Sequence, residues 1–251
     1  MATLKETMAA LEAAGSAQAR KTYTRHGVGA NQFGVSYAVL GALVKKIKTD
    51  HALAEALWAT GNHDALVLAT MIADPAAATR RLLDAWARTL DNYVIADAFA
   101  RYAGRTPVAR DRAEAWAASA GEWIGRAGWL TLANLAREEL ELPDSYFLEQ
   151  LATIEKEIHG RKNRVRDAMN SAVIAIGVRN EALRKAAVAA ATRIGKVEVD
   201  HGETGCKTPD AAAYIEKTLA HRKKAPAKKA PARQGAAAKA RAGAAGGESK
   251  R

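Results

Sequence analysis

An all-α fold is the prediction for this chain, and three observations make it. Alternating β-branched runs are nearly absent, KVEVD at 196–200 being the exception. Ala-rich stretches with apolar residues at three- and four-residue spacing continue to about residue 221, the period of an amphipathic helix. The four prolines before the C-terminal tail (Pro75, Pro107, Pro143 and Pro209) each fall at a predicted helix start, where a missing N–H costs least.

The spacing places helices near 3–14, 17–25, 34–49, 51–60, 63–73, 76–90, 92–103, 108–119, 121–139, 144–159, 163–178, 180–195 and 208–221. Short links make successive helices antiparallel neighbours. Pairs recur at roughly 30–40 residues without an obvious sequence repeat, which reads as a degenerate α-solenoid of the HEAT type. Such a solenoid curves, and its inner side is an extended groove. Asp91 is read as the cap of the helix at 92, Asn163 as the cap at 163, and Thr208, with Pro209 at the first turn, as the cap of the last helix.

The 251 residues, 49% apolar, suffice for one domain with a substantial core. The net charge of +11 is unevenly spread. Residues 222–251 hold ten Lys/Arg and one acid, whereas 1–221 hold 28 basic and 26 acidic residues. The domains are therefore 1–221, a helical repeat domain, and 222–251, a Lys/Ala/Pro-rich tail without large apolar side chains that is expected to be disordered. Basic tails of this kind meet polyanions, so the tail is expected to contact nucleic acid, with a solubilising role as the alternative. The single cysteine, Cys206, excludes an internal disulfide. No signal peptide or apolar run of bilayer-spanning length is present. The expectation is a cytoplasmic, nucleoid-associated monomer that makes no membrane contact.

Four stretches carry candidate chemistry. In LDNYVIADAFARY (90–102), Asp97 stands in an apolar helix one turn after Tyr93. Its carboxylate either pairs with Arg101 at i,i+4 or faces the groove beside an aromatic wall. In GEWIGRAGWL (121–130), Trp123 and Arg126 share a helix face. A tryptophan beside an arginine suits a base or a sugar-phosphate, while a Glu122–Arg126 surface pair is the alternative, and Trp129 is assigned to the core. In HGRKNRVRDAMN (159–170), Arg161, Lys162, Arg164 and Arg166 crowd one helix N-terminus, where the dipole disfavours cations. An anion such as phosphate would relieve that crowding, with a solvated basic turn as the alternative, and Asn170 is placed where it could point into the groove.

In the loop 200–210, His201, Glu203 and Cys206 invite a metal reading. H-x-E with a lone cysteine lacks the thiolates of a zinc deaminase, so no metal and no cofactor is expected. The glycine run HGVGANQFG at 26–34 does not match G-x-G-x-x-G and follows no strand, which excludes a dinucleotide site.

Over about residues 20–195 the chain resembles the AlkD-like DNA alkylation repair glycosylases, a HEAT-like repeat family. YTRHGVGANQFGVSYAVLGALVKKI and LWATGNHDALVLATMIA are similar to that family's first helices. The resemblance places the family's Trp-x-x-x-Asp catalytic motif on Tyr93 and Asp97, and its arginine near the DNA backbone on Arg126, with Trp123 just before it. A second cleft tryptophan of the family aligns with Ser171, beside Asn170. What the resemblance implies is binding of alkylated double-stranded DNA and hydrolysis of the N-glycosidic bond of a cationic purine. Asp97 would then stabilise the developing oxocarbenium charge. A non-catalytic HEAT-repeat DNA-binding or scaffold protein is the alternative.

Overall fold

The computed structural model describes residues 2–138 and 141–224. Of the tail expected at 222–251, residues 225–251 lie outside them. Among the described residues there are thirteen α-helices and no strand. They are α1 (Leu4–Ala13), α2 (Ala17–Arg25), α3 (Tyr37–Ile47), α4 (His51–Ala59), α5 (His63–Ile72), α6 (Arg80–Ala87), α7 (Tyr93–Ala103), α8 (Ala109–Ala117), α9 (Glu122–Glu138), α10 (Asp144–Glu157), α11 (Asn163–Gly177), α12 (Glu181–Ile194) and α13 (Ala211–Lys224).

Side-chain caps set most starts. Thr3 forms a capping box with Glu6, and Ser16, Ser36, Asp50, Asn62, Thr79, Asn92 and Asn180 each accept a backbone N–H from the first turn of the following helix. The predicted helix 76–90 is two pieces, a 3-10 turn at Pro75–Ala77 and then α6, because Thr79 starts a new helix by accepting the Leu82 N–H. Three predicted caps differ. Asn92, not Asp91, caps α7, and Asp91 accepts from the Asn92 amide. Asn163 is the first residue of α11 instead of its cap, its side chain being taken by the Asp200 backbone. Asp210, not Thr208, accepts the Ala213 N–H at the start of α13. That helix runs three residues past the predicted boundary at 221.

The helices form two rows. α5 packs on α7, α7 on α9, and α9 on α11, giving an inner row, while α4, α8 and α12 lie behind α5, α9 and α11. The closest approach is at Gly128 of α9, where a Cβ would stand 2.2 Å from the Ala117 nitrogen of α8, so only glycine admits that crossing. One core half is aromatic: Trp58 and Trp86 stack at 4.1 Å, with Phe99 and Trp116 alongside. Such pairs each add about 0.5–1.5 kcal/mol beyond their area. Two of these three indoles donate a hydrogen bond to a named partner, Trp58 to Thr89 and Trp116 to Asp84. Trp129 is in the core as expected, 1% exposed.

The glycine run before α3 is an anchored loop. Asp64 is fully buried, and its carboxylate accepts the N–H groups of Phe33, Gly34 and Val35 at 2.6, 3.0 and 2.8 Å. A buried charge is tolerated when hydrogen bonds satisfy it. The loop so held follows α2, whose C-cap residue His26 reaches the inner row.

Candidate nucleic-acid interface

Tyr93, Asp97 and Arg101 recur at four-residue spacing along one face of α7. That face meets Arg126 of α9 and the first turns of α11. Arg126 is the hub, only 5% exposed. Its Nε donates to Asp97 Oδ1 at 2.7 Å and its Nη2 to Asp97 Oδ2 at 3.1 Å. Its Nη1 donates to Asp167 Oδ2 at 2.7 Å and to the Arg164 carbonyl at 3.0 Å. One guanidinium therefore ties three consecutive inner helices. Both sequence alternatives for these charges give way: Asp97 pairs with Arg126 and not with Arg101, and Glu122 does not pair with Arg126.

Asp97 keeps 39% of its side chain accessible. It is nevertheless enclosed by protein at longer range, as a group on the floor of a hollow is. That enclosure raises its carboxyl above the ordinary range, against the pull of Arg126. Burial pulls the Arg126 pKa down, but Asp97 and Asp167 more than offset it, so the guanidinium stays charged.

Tyr93 forms the wall. The Arg164 guanidinium lies over its ring at 4.4 Å and that of Arg126 at 5.5 Å. Its hydroxyl bonds to His26 Nδ1, which closes the wall from the N-terminal side. Burial raises the hydroxyl pKa, Arg164 opposing. Arg164 Nη1 also lies 3.3 Å from His201 Nδ1, and His201 Nε2 is 2.9 Å from Thr208 Oγ1. The loop that held the metal candidates thus supports Arg164.

The expected phosphate seat at the start of α11 is filled from within. Glu122 accepts the Arg164 N–H at 2.7 Å, so a carboxylate of the chain itself complements the helix dipole. The four cations diverge. Arg161 turns to the C-terminal end of α8 and donates to the carbonyls of Ala117 and Ser119 and to Glu157. Arg166 bends toward Asn163 at 3.4 Å, with its Nε buried and without a partner among the described residues. Lys162 is exposed, and only Arg164 joins Tyr93 and Asp97. Asn170 does not reach the hollow: it is 3% exposed and donates to the Pro209 carbonyl. Trp123 is half-buried against the N-terminal core, and Ser171 is half-buried.

Sequence reasoning missed four members of this arrangement: His26, Glu122 as a cap, Asp167 and His201. Asp167 carried a signal, lying one helical turn after Arg164 and hence on the same face. The other three come from distant segments with no local pattern.

The profile of a family described as DNA alkylation repair enzyme matches residues 7–215. Two uncharacterized proteins, one of Listeria innocua and one of Listeria monocytogenes, are each 26% identical over 228 residues, 86% of this chain and 97% of theirs. A solved structure described as a new family of proteins related to the HEAT-like repeat DNA glycosylases with affinity for branched DNA structures superposes with a TM-score of 0.82. Its identity is 30%, over 88% of this chain and 95% of that one.

Proposed function

The chain belongs to the DNA alkylation repair enzyme family, and from that premise we propose that it binds DNA, branched DNA included, against the hollow of α7, α9 and α11. The observation that carries this reading is the convergence of Tyr93, Asp97 and Arg164 from α7 and α11 on the guanidinium of Arg126. An aromatic ring and a cation side by side suit stacking and phosphate contact. The basic tail adds sequence-independent affinity.

In this reading the hollow is first a binding site. Both Asp97 oxygens accept from Arg126, which neutralises the charge an oxocarbenium ion would need. A second reading, hydrolysis of the N-glycosidic bond of an alkylated purine, is favoured by the accessibility of that same carboxylate. There the C1′–N bond breaks, its electron pair neutralises the cationic base, and water adds at C1′ with loss of a proton. Asp97 would stabilise the sugar cation.

The test is a titration of the full chain with a four-way junction and with a linear duplex of equal length, at several salt concentrations. Binding to both, tighter for the junction, is expected. Failure to bind either would remove the reading. On methylated DNA, release of alkylpurine that disappears in Asp97→Asn with binding retained would establish hydrolysis. Binding without release would leave recognition alone.

A further inference from the structure

A separate recess opens between α3, α5 and α7, beside the hollow. Its volume is about 340 Å³, at the small end of ligand pockets, which span about 300–1,000 Å³. Val44 and Met71 are among its apolar walls, and Tyr37, Arg101 and Arg105 are among its polar members. Tyr37 opens α3 and is 46% exposed, so its ring is open to solvent at the mouth of the recess. Arg101 is exposed and makes no hydrogen bond or ion pair with a described residue. Arg105 reaches the Thr70 carbonyl only at 3.4 Å. Among the described residues lining the recess, Glu138 at the end of α9 is the one carboxylate.

An aromatic face, two arginines with donors to spare and an apolar floor describe one kind of ligand. We infer that this recess takes an unstacked nucleotide of single-stranded DNA, its base on the Tyr37 ring and its phosphate on Arg101 and Arg105. Stacking on an aromatic ring does not depend on base identity, because every base has a π face. Arg101 stands one turn beyond Asp97 on α7, so a strand leaving a duplex in the hollow passes the recess without a break. The inference rests on the DNA-binding reading and adds to it: the recess would read the unpaired strand at a branch, whereas the hollow holds paired DNA.

The experiment compares a linear duplex with the same duplex carrying a single-stranded thymidine flap, using the full chain and three variants. The wild type should bind the flap DNA several-fold more tightly. Tyr37→Ala should abolish that preference and leave duplex affinity as it was, and Arg101→Gln should weaken flap binding by a larger factor than duplex binding. Tyr37→Phe should keep it, because the stacking face survives. Circular dichroism melting confirms that each variant is folded. Equal binding of flap and duplex by the wild type overturns the inference while the DNA-binding reading stands, and so does a preference that survives Tyr37→Ala. No binding to either DNA overturns both.

Discussion

Asp97 and Arg126 meet in a two-point pair, 2.7 Å at one oxygen and 3.1 Å at the other, across the boundary between α7 and α9. The same guanidinium holds Asp167, so two carboxylates depend on one cation. Removing that cation leaves both acids without the partner they share.

Arg126→Ala should therefore destabilise the fold by roughly 3 kcal/mol. This is the low end of the cost of breaking a buried pair, because Asp97 retains some access to water. Arg126→Lys should fall between the two, since an ammonium cannot satisfy a forked geometry toward two acids. Urea unfolding measures both. A midpoint unchanged in Arg126→Ala would mean that the three inner helices do not rely on this strap.

A second prediction concerns acid. The His63 ring is 4% exposed, stands edge-on to Tyr23 at 5.3 Å and has no hydrogen-bond partner at either nitrogen among the described residues. Burial holds its pKa below the ordinary value, only partly countered by Asp64 and Asp91. The unfolded ring takes up its proton near about pH 6.5. Below that, down to the folded value, the unfolded chain binds more protons than the folded one. Stability is then lost as pH falls through this window and is fully present above it. His63→Phe keeps the contact with Tyr23 and cannot be protonated. The difference in unfolding free energy between wild type and variant should grow on acidification, by at most about 1.4 kcal/mol per pH unit. A pH-independent difference would show that the ring titrates alike in both states.

The helices were legible because amphipathic spacing is contained in a few residues, whereas the caps read at Asp91, Asn163 and Thr208 gave way to Asn92, to a bond with the Asp200 backbone and to Asp210. Charge partners were not. Asp97 and Arg101 satisfy the i,i+4 rule, but an exposed pair of that kind gives only about 0.2–0.5 kcal/mol. A forked arginine arriving from 29 positions away offers two charge-assisted bonds and wins. The crowding at 161–166 reads as an electrostatic problem at a helix end. Its resolution was hidden, because Glu122 lies 42 positions earlier. Tyr93 was found through its spacing from Asp97, whereas His26, 67 positions away, had no pattern to reveal it.

Arg161 and Arg164, three positions apart and alike in sequence, are predicted to act on different observables. Arg161 donates to two carbonyls at 2.6 and 2.9 Å and to Glu157 at 3.0 Å, holding the end of α8 against α11. Hydrogen bonds from a charged group contribute about 1.5–3 kcal/mol. Arg161→Ala should lower stability by about 2 kcal/mol and leave the salt dependence of DNA binding as it is. Arg164 instead holds its guanidinium over the Tyr93 ring, with His201 as a soft second partner. An arginine so oriented is presented to a phosphate at little further entropic cost, so Arg164→Gln should weaken DNA binding. The slope of log affinity against log salt should become shallower by about 0.9, the value for one lost phosphate contact, with melting little altered. If instead Arg161→Ala flattens the salt slope and Arg164→Gln does not, the phosphate contact belongs at the α8 end of the row and the hollow around Tyr93 is not where DNA sits.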